Sequence, residues 1–205
     1  MSTAQPPDLT ARARLRIAAQ KLFAERGFAA TSTRAIAEEA GVSHALLRHH
    51  FGSKKGLEQA VDDEVLSSLG ARLDEAGRQV DPDRMLASMG DITAQVFGAD
   101  TQARAYVRRR LLEGGEAGSA MFARLLMGTR AQLERLGYQH KDADDTLDWA
   151  AYQVIFLVLG PLLLENVMRD SLGADPFDET LLRDRSRANQ QLIASGLGVK
   201  GRAGH

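Results

Sequence analysis

Apolar residues recur along this chain at helical spacing. Between residues 11 and 26, Leu15, Ala18, Ala19, Leu22 and Phe23 fall at i, i+3, i+4, i+7 and i+8, one stripe of an amphipathic helix. Thr10 is placed to cap its start and Gly27 to end it. Thr31, Ser32 and Thr33 then offer three N-cap side chains ahead of Ile36, Ala37 and Ala40, a short helix that Gly41 closes. Ser43 opens a second short helix reaching Phe51, and Gly52-Ser53 breaks the chain before a long helix from Lys54. Beyond it the pattern predicts helices over about 54–79, 82–98, 101–113, 116–137, 144–169 and 177–196. Asp81-Pro82, Gly114-Gly115, Gly137 and residues 173–176 mark the breaks. No period-two β-branched run and no Asn-Gly or Asp-Gly hairpin turn occurs. The expectation is an all-α chain of about nine helices, with a three-helix head over 1–53 and a larger helical body over 54–205.

The head carries the sharpest pattern. Two short helices meeting at a glycine satisfy the requirement of a helix-turn-helix, here over about 32–51. Gly41 can take positive φ without a Cβ penalty, and the small Ala37 lets the next helix cross closely. Ile36, Val42, Leu47 and Phe51 would fill the core beneath. Ser43, His44, Ala45, Leu46, Arg48, His49 and His50 are then left to face a groove.

Charge sharpens this picture. The chain has 205 residues and a net charge of −1, yet residues 1–56 hold nine basic side chains against four acidic ones. A basic head on an acidic body suits contact with a polyanion at one end. Hydrophobic residues make up 44%, enough for a core and too many for a disordered chain. The absence of cysteine excludes disulfide scaffolds, thiolate metal sites and cysteine nucleophiles. His44, His49 and His50 stand at i, i+5 and i+6, not at the i, i+4 spacing of a helical zinc pair, so no metal is expected. Asp144, Asp145 and Glu165 show no spacing that pairs them into a site, and no P-loop, HExxH, GxSxG or strand-borne GxGxxG occurs. Neither an enzyme nor a cofactor is expected. The longest apolar run, 154–164, contains Gly160-Pro161 and falls short of the ~20 residues of a membrane span. With no secretory leader pattern at the start, the expected location is the cytoplasm.

From about Leu15 to Leu57 the chain resembles the TetR family of bacterial transcriptional regulators. The resemblance rests on a first helix of AAxxLFAERGF type, a Thr-Ser opening, IAEEAGVS across the turn, and LLRHHFGSKKGL at the end. It implies that Thr31, Ser32, Thr33 and Arg34 approach a phosphate at the start of the second helix. It further implies that Ser43, His44, Ala45 and Leu46 head the helix that reaches base edges. Arg48 stands where the family usually has Tyr, a phosphate contact that Arg can also make. His50 matches a frequent family His beside His49, and Lys54 matches a phosphate-contacting Lys. Two further positions depart from the family: Ala45 replaces a frequent Gly and Leu46 a frequent Thr. Leu46 can read only a thymine methyl or act as a spacer.

The body fits the family by helix count and length alone. Residues 144–169 are apolar on more than one face (Leu147, Ala150, Ala151, Val154, Ile155, Val158, Leu159, Leu162, Leu163), as in a helix buried between its own body and a partner. Residues 177–196 add a second amphipathic helix. The resemblance implies that these two form a four-helix bundle with a second copy. Such a homodimer would set two recognition helices about one DNA turn apart on a palindromic operator in double-stranded DNA. It also implies a small-molecule effector in the body. The soft and aromatic residues Met85, Met89, Phe97, Tyr106, Met121, Phe122, Met127, Trp149, Tyr152 and Phe156 are the candidate lining. The function expected is a sequence-specific, dimeric regulator, a repressor released by its ligand. Two alternatives stand beside it: a helical small-molecule-binding protein or enzyme with a vestigial helix-turn-helix, and an effector-free architectural DNA-binding protein.

Overall fold

A computed structural model of the chain describes residues 7–76, 100–138 and 149–196, with isolated positions between 78 and 98. Among the described residues there are nine helices and no strand: α1 (Pro7–Arg26), α2 (Thr33–Glu39), α3 (His44–Phe51), α4 (Lys54–Ala76), α5 (Thr101–Glu113), α6 (Gly115–Arg135), α7 (Trp149–Leu163), α8 (Glu165–Leu172) and α9 (Glu179–Gly196). The helix predicted over 82–98 falls mostly outside the described residues, as do 144–148.

Local chemistry sets most boundaries. Ser32, Ser43 and Ser53 each accept the amide three residues on, from Ala35, Leu46 and Gly56 at 3.1, 3.3 and 3.1 Å, which satisfies a donor that the first helical turn leaves unpaired. Asp100 caps α5 the same way, through the Ala103 amide at 2.8 Å. Thr10 is not the cap expected of it. Helix α1 begins at Pro7, whose fixed φ and missing N–H suit a first helical turn, so Thr10 lies inside the helix.

The helix expected over 144–169 is in fact two. Its described part, α7, ends at Leu163, and α8 leaves at 73° to it. Pro161, in the last turn of α7, has no N–H to return to the Leu157 carbonyl, which weakens the helix there. Glu165 then turns inward to α5, 3.6 Å from both Arg104 and Arg108. No single helix among the described residues is long and apolar enough to cross a membrane.

One core runs through head and body. The α1 stripe is buried to the last residue, with Leu15, Ala19, Leu22 and Phe23 at 0–1% exposure. It packs with Ile36 and Leu47 of the helix-turn-helix, with Leu57 and Val61 in the first turns of α4, and with Tyr106, Val107 and Met121 of the body. At about 1.5–3 kcal/mol for each fully buried large side chain, this contact is much of what holds the head in place. The expected boundary after Ser53 falls at the start of α4, whose first turns serve the head core. A second cluster, with Leu126, Leu133, Ile155 and Leu159, joins α6 to α7.

A polar joint pins the same junction. The Arg110 guanidinium lies 3.4 Å from the Phe28 ring centroid and donates to Asp62 at 3.1 Å and Glu58 at 3.2 Å. The Tyr106 hydroxyl donates to Asp62 at 2.7 Å. Burial pushes the Asp62 carboxyl above its ordinary value, and the Tyr106 hydroxyl and Arg110 oppose that shift without cancelling it. Burial likewise drives the Tyr106 phenol upward. The Phe28 backbone closes the joint: its amide donates to Glu113 at 3.3 Å, and its carbonyl accepts from Lys54.

Candidate nucleic-acid interface

The turn between α2 and α3 is built on Gly41 at φ +63°. Its amide donates to the Glu38 carbonyl at 2.9 Å, and the Val42 amide reaches Ala37 at 3.0 Å. From α1, Arg14 donates to the Gly41 carbonyl at 3.1 Å, and Lys21 pairs with Glu39 at 2.7 Å. Both contacts tie the helix-turn-helix to α1. Sequence reasoning missed Arg14, because nothing local links it to a turn 27 residues on. At the other end Thr33 Oγ1 meets His44 Nε2 at 3.0 Å, fastening the start of α2 to the start of α3.

Helix α3 has two faces. Leu47 is fully buried, with Val42 and Phe51 half-buried beside it. Ser43, His44, Ala45, Arg48 and His49 are exposed, and Leu46 and His50 are half-buried. Residues 44, 45, 48 and 49 share one helical face, so the outward surface is a short row of small, imidazole and guanidinium side chains. Ser32 and Arg34 are exposed at the start of α2, next to the half-buried Thr33. Arg12, Arg34 and Arg48 form no ion pair with any described residue, whereas Lys21 and Lys55 are paired with Glu39 and Glu116.

Two predicted phosphate contacts have other work. Thr31 is 1% exposed, and its hydroxyl lies 2.7 Å from the Gly27 carbonyl and 3.2 Å from that of Leu22. Ser32 took the cap, which turned Thr31 into the junction between α1 and α2, out of reach of a phosphate. Lys54 is half-buried with its ammonium on the Phe28 carbonyl, so it reaches solvent only with its remaining donors.

The predicted ligand residues need the larger correction. A cavity of about 570 Å³ opens between α4, α6, α7 and α9. Of the candidates among the described residues, only Met127 lines it. Tyr106 and Met121 are core residues at 0% and 2% exposure. Trp149 and Phe156 are 56% and 53% exposed, and with Tyr152 and Phe122 they form an aromatic cluster on the outer side of α6 and α7. Phe122 and Phe156 border a separate hollow of about 490 Å³ beside Gly118 and Gly160. Met85, Met89 and Phe97 lie outside the described residues. The true lining is mostly Leu, Val and Gly, as in Leu66, Leu69, Leu73, Val154, Val158 and Gly128.

The described residues thus form an N-terminal helix-turn-helix joined to a helical body that holds a cavity. Residues 16–61 match the family model of bacterial regulatory proteins, tetR family. It is 39% identical over 127 residues to the HTH-type transcriptional regulatory protein RaaS of Mycobacterium tuberculosis, an alignment covering 62% of this chain and 57% of RaaS. It is 34% identical over 104 residues to the HTH-type transcriptional regulator UidR of Escherichia coli, covering 50% and 51%. The chain thus spans little more than half the length of these curated relatives. Among solved structures it is similar to the TetR family transcriptional regulator PfmR of Thermus thermophilus, at 25% identity and a TM-score of 0.64, covering 90% of this chain and 98% of that one. A TetR-like regulator from Rhodococcus shares the fold at 21% identity and a TM-score of 0.69, covering 96% and 100%.

Proposed function

We propose that this protein is a sequence-specific DNA-binding transcriptional regulator, a repressor that acts as a homodimer in the cytoplasm and leaves its operator when a small molecule occupies the body cavity. The observation that carries the reading is the outward face of α3. His44, Ala45, Arg48 and His49 project from a helix whose opposite side is locked in the core, beside guanidinium groups with no carboxylate partner among the described residues. Recognition helices meet base edges through such N-terminal residues, and the free charges supply the phosphate contacts. Ser32, Thr33, Arg34, Ser43 and Leu46 complete the surface, with His50 and Lys54 at its edge.

Dimerisation is supported by what the body leaves uncovered. Trp149, Phe156, Leu164 and Leu192 are each more than half exposed on or beside α7 and α9, and large exposed apolar side chains grouped on neighbouring helices mark an interaction surface. The effector is supported by the cavity, whose volume falls within the ~300–1,000 Å³ of small-molecule sites.

The test is fluorescence anisotropy with the DNA flanking the protein's own gene, at two salt concentrations and with an unrelated competitor duplex. The expected result is tight binding that survives competitor, at two protomers or a multiple per site. Binding that competitor and salt abolish together would leave only the phosphate attraction and overturn the sequence-specific reading.

A further inference from the structure

The cavity wall is chemically lopsided. The α4 side is chiefly Leu66, Leu69 and Leu73 with Ser67 among them, the α7 side is wholly apolar, and α6 adds Arg124, Thr129 and Gln132 between apolar positions. The α9 side presents Arg185, Ser186, Asn189 and Gln190, which share one helical face at i, i+1, i+4 and i+5. The described lining contains two arginines and no Asp or Glu. Arg124 is already paired with Asp63 at 2.6 Å. Arg185 is not paired with any carboxylate among the described residues. It donates once, to the Pro176 carbonyl at 2.9 Å, and stands 5.2 Å from the Phe177 ring centroid. Its side chain is half-buried, and burial lowers its pKa, with no acid among the described residues to offset that. A guanidinium has five N–H donors, and a partly desolvated charge without a counter-ion is costly. Such a group is poised for an anion.

We infer that the cavity takes an elongated apolar molecule ending in a single anionic group, with Arg185 holding the anion and the leucine-rich walls holding the tail. The inference rests on the proposed effector role of the cavity and names the class of effector. Shape agrees with charge. The stretch of α9 that lines the cavity, from Leu182 to Ile193, rises about 16 Å at 1.5 Å per residue. Arg185 sits toward the Phe177 end of that stretch, and Ile193 packs with the aliphatic cluster of α6 and α7 at the other. A compact polar anion would leave the apolar walls unfilled, and a cation would meet only guanidinium charge.

Calorimetric titration of the full-length protein tests this with straight-chain carboxylates from octanoate to hexadecanoate, the matching alcohols, and dodecyltrimethylammonium, each below its micelle-forming concentration. At least one carboxylate should bind about tenfold tighter than its alcohol, the gain expected of one charge-assisted contact, and the cation should not bind. Arg185→Met should erase the preference for acid over alcohol while alcohol binding persists, which also shows that the variant is folded. Arg185→Lys should retain part of the preference. Equal binding of acid and alcohol, a preference that survives Arg185→Met, or no carboxylate binding at all would overturn the inference. Operator binding measured without ligand separates the two readings. DNA bound normally but indifferent to every carboxylate leaves a regulator with a different effector. Carboxylate bound by a protein that ignores DNA leaves the site and removes the regulator.

Discussion

Arg110 is the side chain on which the junction of head and body depends most. It is 4% exposed, and its two carboxylate partners, Glu58 and Asp62, are 18% and 13% exposed. Arg110→Met keeps most of the volume over Phe28 and removes the charge. Two largely buried carboxylates then face each other with the Tyr106 hydroxyl and the more distant Arg124 charge to compensate. Breaking a buried pair by removing one partner costs about 3–5 kcal/mol, against about 0–1 kcal/mol for a surface pair. In a chain of this size that corresponds to a fall in melting temperature on the order of 10 °C. Urea unfolding followed by circular dichroism at fixed protomer concentration is the assay, since the proposed dimerisation would make stability depend on concentration. The pH dependence has a definite sign. Burial already raises the Asp62 carboxyl, and removing the guanidinium raises it further. The native state then holds a proton that the unfolded chain releases, so stability falls as pH rises from the ordinary carboxylate value through the raised one. The deficit of Arg110→Met should accordingly be smaller at pH 5 than at pH 8. Adding Asp62→Leu should recover part of the loss, with a coupling of about 1 kcal/mol or more. A loss under about 1 kcal/mol, or strictly additive effects, would refute the claim that this cluster pins the junction.

Other consequences are separable in the same assays. Thr31→Val should cost about 1–2 kcal/mol of stability through its two lost carbonyl contacts and leave the salt dependence of DNA binding unchanged; a shallower slope would return Thr31 to the phosphate surface. Arg48→Ala should weaken binding to all duplexes about equally and reduce the slope of log K against log salt by ~0.9, whereas Lys54→Ala should also lower the melting temperature, because the Phe28 carbonyl loses its donor. Gly41→Ala should destabilise by about 1–2 kcal/mol for left-handed geometry in a residue with a Cβ, with further loss because that Cβ would sit 2.5 Å from Arg14 Nη2. Phe156→Glu should shift sedimentation toward monomer at micromolar concentration while the fold persists, and an unchanged dimer would move the interface elsewhere.

The head was legible because its determinants are local. A serine that caps a helix bonds the amide three residues on, so Ser43 and Ser53 could be read from spacing. The buried stripe of α1 follows from the helical repeat. What escaped the reading depends on partners far away in sequence. In Thr31-Ser32-Thr33 all three side chains can cap, and which one does is decided by how α2 meets α1. Arg14 on Gly41 and Arg110 on Asp62 span 27 and 48 residues. The Gly160-Pro161 pair was visible, but the turn at Leu164 also needed Glu165 to find Arg104 and Arg108 on α5.

The cavity shows a different limit. Large, soft side chains are the expected lining because they adapt to irregular ligands. A side chain that large, placed in the interior, tends instead to fill the interior: Tyr106 and Met121 are buried in close contact and leave no room. Placed outside, as Trp149 and Phe156 are, it presents area to a partner. Space survives where the packing falls short, and here that is among leucines, valines and two glycines, Gly70 and Gly128, at whose Cβ positions no atom from outside the glycine's own stretch of helix comes within 4 Å. Those residue types are common to every helical core, so their identity carries no signal. The one discriminating residue is charged. Arg185 stands in the sequence RDRSR among other arginines with nothing to set it apart, and only the fold separates it from its neighbours, by turning Arg183 and Arg187 to solvent and Arg185 toward the empty space.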